Sequence, residues 1–226
     1  MKYEILYPEA FPVVSFSLQK GESIKAESDA MISMDATLDV QGKLEGGILK
    51  GLVRKALTNE SLFLQRIVAT RGSGDALIGH PLPGGIMDIE LDGSYDLIVK
   101  KGGFLAATDG IQVDSKTQSI AKGLFSKEGF FLVKLTGRGT AFISSYGIIH
   151  PINIEEGEEV IIDNGHLVAW PSYMNYRLER ASSGYFSSVT SGEGIVCRFR
   201  GPGTVLIQTR NLESFQDWIR SLVKGG

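Results

Sequence analysis

Cysteine is almost absent from this chain. Cys197 is the one thiol in 226 residues, so no internal disulfide framework can staple the fold. Histidine is nearly as scarce, with only His80, His150 and His166 and no His-x-His pair. A cupin-like metal enzyme needs two or three histidines and a carboxylate converging inside a barrel, so no metal site and no cofactor is expected. Basic residues are not in excess: 23 Lys and Arg stand against 26 Asp and Glu, for a formal charge of −3. A nucleic-acid binder is expected to show the opposite balance to neutralise phosphates, so nucleic acid is not an expected partner. No apolar run reaches the length of a membrane span. The start, Met1-Lys2-Tyr3-Glu4-Ile5, lacks the apolar core of a signal peptide. These absences make the cytoplasm the expected compartment.

Glycine, by contrast, is plentiful at 28 residues, and 42% of the chain is hydrophobic. That combination suits a large all-β domain with many tight turns and a substantial core.

Two patterns each occur three times. The first is a series of short period-two strands. Phe16-x-Leu18, Ile24-x-Ala26 and Met31-x-Ser33 return as Ile89-x-Leu91, Leu97-x-Val99 and Phe104-x-Ala106, 73 residues on. They return again as Ile152-x-Ile154, Val160-x-Ile162 and Leu167-x-Ala169, a further 63 on. Alternation puts Phe16, Leu18 and Ile24 on one buried face. Gly21-Glu22 and Gly157-Glu158 open the same turn in the outer copies, while the middle copy has Ser94. Asp163-Asn164-Gly165 suits a tight hairpin with positive φ, and Lys101-Gly102-Gly103 holds the same place in copy two.

The second pattern is a Gly-x-Gly turn feeding an apolar strand. Gly72-x-Gly74 precedes Ala76-Leu77-Ile78, Gly137-x-Gly139 precedes Ala141-Phe142-Ile143, and Gly201-x-Gly203 precedes Val205-Leu206-Ile207. None opens a helix, so these are β-turns and not phosphate loops. The expected architecture is one all-β domain over 1–226 with three internal β repeats (cores about 14–80, 87–147 and 150–209) and pseudo-threefold symmetry. Packed sheets or a short double-stranded β-helix fit it, and closure limits free strand edges. Ile24, Leu97 and Val160 should occupy equivalent buried positions, and so should Leu77, Phe142 and Leu206.

Two helices interrupt the strands. Asn211 caps one over about 211–223, with Leu212, Phe215, Trp218, Ile219 and Leu222 on one stripe; it is expected to cover an open end of the sheets. The other spans Ile48 to Leu57. It follows Gly46-Gly47, but no Gly-Lys-Ser/Thr ending makes it a P-loop. Its residues Lys50, Leu52, Arg54 and Lys55 are the candidate interaction surface. The plain reading is packing on its own sheets; the sharper one is contact with a partner subunit or an anionic membrane surface. Cys197 alternates with Arg198 in a predicted strand and reads as a buried, inert thiol. Nothing resembles a nucleophile elbow.

The segment Gly46-Gly47-Ile48-Leu49-Lys50-Gly51-Leu52-Val53-Arg54-Lys55-Ala56-Leu57, followed by Glu60-Ser61-Leu62-Phe63, resembles the glycine-rich segment of the altered-inheritance-of-mitochondria-24 family. Asp163-Asn164-Gly165-His166-Leu167-Val168-Ala169-Trp170 and Gly201-Pro202-Gly203-Thr204-Val205, with Gln208-Thr209-Arg210, resemble two more of its signatures. The resemblance implies a fold similar to the tryptophan RNA-binding attenuation protein, and homo-oligomers, most simply trimers. It carries over no catalytic residue, because the family has none established. Mitochondrial relatives are linked to inner-membrane organisation. The expected function is therefore a non-enzymatic oligomeric scaffold or binding protein, and the alternative is a cupin-like small-ligand binder or enzyme.

Overall fold

The computed structural model describes residues 1–43, 64–114, 132–180 and 195–223. In them the chain is mostly β-strand with one C-terminal helix. Strand β1 (Lys2–Leu6) leads into β2 (Val13–Leu18), β3 (Ser23–Glu27), β4 (Met31–Met34), β5 (Asp39–Lys43), β6 (Leu64–Val68) and β7 (Gly74–Gly79). Next come β8 (Ile86–Asp92), β9 (Leu97–Lys100), β10 (Phe104–Thr108), β11 (Ile111–Asp114) and the long β12 (Leu132–Ser144). The last third holds β13 (Ile149–Ile154), β14 (Glu159–Asp163), β15 (Leu167–Pro171), β16 (Asn175–Arg180), β17 (Ile195–Arg200) and β18 (Gly203–Gln208). Helix α1 (Leu212–Val223) ends the description.

Among the described residues every pairing between two strands is antiparallel, with isolated parallel bridges only at Gly84–Gly147 and Glu156–Gly201, and one scheme serves each third. In the first, β7 lies between β2 and β4, and β6 between β3 and β5. In the second, β12 alone does both jobs: its C-terminal part lies between β8 and β10, its N-terminal part between β9 and β11. In the third, β18 lies between β13 and β15, and β17 between β14 and β16. A one-residue bulge recurs as well, at Ile32, Leu105 and Val168. A bulge at a fixed place bends the strand and sets its register.

Two pairings join successive thirds. Strand β10 runs beside β3, with Ala106 opposite Ala26, and β15 runs beside β9, with Ala169 opposite Val99. Strand β4 is left at the end of the sheet β1-β2-β7-β4, and β14 at the end of β14-β17-β16.

Alternation builds the core. Val14, Phe16 and Leu18 of β2 are buried, while Val13, Ser15 and Ser17 between them are only half-buried. Phe142 meets Phe16 and Tyr3 edge-on, with ring centroids 4.9 Å and 4.8 Å apart. Trp170 packs on Phe199 at 5.3 Å. Each such aromatic stabilises the fold by roughly 1.5–3 kcal/mol through burial alone. Ile24, Leu97, Phe142 and Leu206 are buried as expected, but Leu77 and Val160 are only half-buried.

The expected turn at Gly21 forms. Gly21 has φ +90°, the Glu22 amide donates to the Gln19 carbonyl at 2.9 Å, and the Glu22 carboxylate accepts from the Gln19 amide at 2.8 Å. Glu158 closes the turn at Gly157 in the same way. In the middle third Gly93 takes the positive φ, and the Asp92 carboxylate accepts from the Ser94 amide instead.

Three expectations need correction. Asn164–His166 form a 3-10 turn, not a positive-φ hairpin, because the Asp163 carboxylate caps it by accepting from the Gly165 amide at 2.7 Å. Gly137-Arg138-Gly139 is no turn; it lies inside β12, and a side chain at Gly137 would collide with the Gly110 carbonyl. The C-terminal helix is capped by Asn211, whose Oδ1 accepts from the Glu213 amide at 2.9 Å. Yet it covers no sheet end, for it has no buried residue, and Phe215, Trp218, Ile219 and Leu222 are exposed. The helix read over Ile48 to Leu57, with Lys50, Leu52, Arg54 and Lys55, lies outside the described residues.

Candidate interaction surface

The loops that precede β2 and follow β7 enclose a shallow groove. One part, of about 290 Å³, is lined by Phe11, Pro12, Ile32 and the run His80-Pro81-Leu82-Pro83. An adjoining part, of about 250 Å³, adds Pro8, Gly85, Gly147 and Ile148. Prolines pre-set φ in these loops and remove backbone donors, so the walls are stiff and largely apolar. Tyr7 and Phe11 both sit at φ 55°, a conformation that non-glycine residues rarely adopt. Large apolar groups around the groove are exposed: Phe11 is 72% exposed, Ile148 71% and Ile32 56%.

His80 is the one titratable side chain of the first part of the groove. Burial holds its pKa below the ordinary histidine value, opposed only by backbone hydrogen bonds at Leu82 and Gly102. The ring is therefore neutral at pH 7, and its Nδ1 lies 3.3 Å from the Leu82 amide. His150 is exposed on β13, and His166 bonds the Gln208 carbonyl through Nδ1 at 2.7 Å. Among the described residues no group of three His, Cys, Asp or Glu side chains is placed to hold a metal ion. Cys197 is fully buried, and burial pushes its thiol up to about 12, so at neutral pH it is protonated and inert.

A second set of polar groups marks the places where thirds meet. At β3–β10, Arg66 bonds Asp109 at 2.6 Å and Ser23 at 3.0 Å, and the Ser23 hydroxyl also reaches Asp109. At β9–β15, Lys134 pairs with Asp96 at 2.6 Å, and the Ser172 amide donates to the Asp96 carbonyl at 2.8 Å. The matching residues of the last third, Arg198 and Glu159, also pair, at 3.6 Å. There Glu159 stands on β14, an end strand of its sheet among the described residues, and Arg198 on the central β17 also bonds Glu179, at 3.1 Å.

Sequence reasoning named Lys50, Leu52, Arg54 and Lys55, which lie outside the described residues, and did not single out Phe11, Ile32 and Ile148. The signal for them was the proline cluster Pro8, Pro12, Pro81 and Pro83, which marks two stiff loops meeting across β2 and β7. No helix among the described residues is long and apolar enough to cross a membrane.

Comparison with known proteins agrees with this fold. The family model described as Mitochondrial biogenesis AIM24 matches residues 3–210. An uncharacterized protein of Streptococcus pyogenes serotype M6 is 32% identical over 222 residues, spanning 95% of this chain and 88% of its own. The crystal structure of a Streptococcus pyogenes protein superposes with a TM-score of 0.79 at 29% identity, covering 98% of this chain and 99% of that one.

Proposed function

We propose that this chain, which belongs to the Mitochondrial biogenesis AIM24 family, is a non-enzymatic cytoplasmic protein that works by self-association, as a homo-oligomeric scaffold or binding module. The observation that carries this reading is the amount of large apolar surface left in water: Phe11, Ile32 and Ile148 around the groove, and Phe215, Trp218, Ile219 and Leu222 along α1. Scattered exposed apolar residues are ordinary, but groups of them mark contact surfaces. His80 in the groove is held below the ordinary histidine pKa by burial, and Cys197, inside the core and away from both surfaces, is a protonated thiol.

The finer architecture belongs to the same proposal. The three thirds are three copies of one unit, each a short double-stranded β-helix of two three-stranded sheets, with the long β12 serving both sheets of the middle copy, and the copies are related by a threefold internal repetition. The shared pairing scheme and the shared bulge support this. The expected assembly is built from trimers. Light scattering behind size-exclusion chromatography tests the proposal: a stable multiple of 24.5 kDa is expected, and a monomer that persists at high protein concentration contradicts it.

A further inference from the structure

The two closed junctions obey one rule. The third strand of a unit pairs with the second strand of the unit before it: β10 with β3, and β15 with β9. The registers are identical once the repeat offsets are applied. Ala106 opposite Ala26 becomes Ala169 opposite Val99, and Ala107 opposite Lys25 becomes Trp170 opposite Ile98.

Applied once more, the rule pairs β4 with β14, placing Ser33 opposite Ile162 and Met34 opposite Ile161. The described residues do not make that pairing, since among them β4 and β14 each end a sheet. Burial shows what is missing. Strands β10 and β15 are buried at their first four positions, whereas β4 has no buried residue. Leu105 and Val168 at the bulge are 0% and 1% exposed, but Ile32 in the same place is 56% exposed. On the other edge Ile161 is 44% exposed, where its counterpart Ile98 is buried against the neighbouring unit. Glu159 and Arg198 repeat the acid–base pair that flanks a closed junction.

We propose that β4 of one chain pairs with β14 of a second copy, antiparallel and in this register, so that the sheets run on from chain to chain. This rests on the self-association proposed above and names its surface. The partner is a second copy because, among the described residues, each edge lacks the strand type that the other supplies. A contact between two different edges is head-to-tail, so it closes as a ring or continues as a filament; a ring of three agrees with the expected trimer. Unpaired edge amides and carbonyls gain partners, and Ile32 and Ile161 leave water.

Cysteine cross-linking tests it. Met34→Cys and Ile161→Cys proteins are made separately, mixed and mildly oxidised; buried Cys197 does not interfere. A disulfide-linked dimer is expected from the mixture and from neither variant alone. Ile161→Asp, which puts a third carboxylate beside Glu159 and Asp163, is expected to shift the assembly to 24.5 kDa with its β circular dichroism unchanged. An oligomer that survives Ile161→Asp and gives no cross-link overturns this interface and leaves self-association standing. A monomer at every concentration overturns both. A disulfide within one chain of the Met34→Cys/Ile161→Cys double variant overturns the interface too, since it means that the chain closes on itself.

Discussion

Strands β10 and β4 hold matching places in the chain and carry the same bulge, yet one is core and the other is surface. In β10 the residues Phe104 to Ala107 are all buried, because β3 runs along the free side of the strand. In β4 the residues Met31 to Met34 are half-buried or exposed, because nothing described runs there. The pair shows that burial of a strand in this fold is decided at the junction between units and not within the unit. Each third makes the four pairings of the shared scheme itself, but the third strand of that scheme is covered on its other side only where an adjoining third runs beside it.

The comparison can be broken most directly at the bulge. Leu105→Ala removes a fully buried side chain and is expected to cost about 2–5 kcal/mol. Ile32→Ala, at the matching exposed place, is expected to cost the isolated subunit no more than about 0.5 kcal/mol. Chemical denaturation of the two variants at low protein concentration checks this, and equal losses would mean that β4 is as enclosed as β10.

A smaller effect separates crowded glycines from free ones. Gly139 has φ +144°, and a side chain there would run into the Thr108 hydroxyl inside the second unit. Gly139→Ala is expected to cost about 1–3 kcal/mol, the range for enforced backbone strain. Gly21→Ala meets the positive-φ penalty alone, because nothing lies within 4 Å, and about 1 kcal/mol is expected. Thermal unfolding of both variants gives the order.

The polar clasp at a closed junction contributes less. Burial raises the pKa of Asp109, but hydrogen bonds from Arg66 and Ser23 outweigh it and hold the carboxyl below its ordinary value. A depressed folded pKa gives stability that is present above the unfolded value, near 4, and is lost as pH falls through the folded one. Asp109 is 43% exposed, so solvent screening limits the gain to about 0.5–1 kcal/mol. Asp109→Asn is expected to remove that amount at pH 7 and to flatten the loss of stability below about pH 4. Denaturation midpoints between pH 7 and pH 2 measure it. The place on the β4 side that matches Asp109 is Ala36, which has no carboxylate to lose.

The least effect is expected at Cys197. In the native protein a thiol reagent should leave it untouched, because the sulfur is buried and protonated. Rapid labelling without denaturant would show that the β14-β17-β16 sheet opens.

The all-β class and many of the strands were legible because period-two alternation runs through the chain, and Ile24, Leu97 and Val160 do lie opposite Ile67, Leu135 and Phe199 of the pairing strands. The C-terminal helix was legible from Asn211 and its apolar stripe, but its exposure was not, since a stripe does not say what it faces. Leu77 and Val160 escaped for the same reason: periodicity assigns a face, and only neighbouring strands decide how well that face is covered. At Asp163-Asn164-Gly165 the residue types fit two turns, and the carboxylate of Asp163 chose the 3-10 form. Gly137-Arg138-Gly139 misled because glycine marks close approach of backbones as well as turns; here Gly110 and Arg138 pack against each other. The groove was hidden because Phe11 and Ile148 belong to no periodic segment.

Amide hydrogen exchange, read strand by strand at two protein concentrations, tests most directly whether β4 and β14 form an open junction that a second copy completes. In dilute protein, the edge amides of β4 and β14 should exchange far faster than those of β10 and β15, and at high concentration they should become protected together while β10 and β15 do not change. Protection of β4 equal to that of β10 in a dilute monomer would contradict the account.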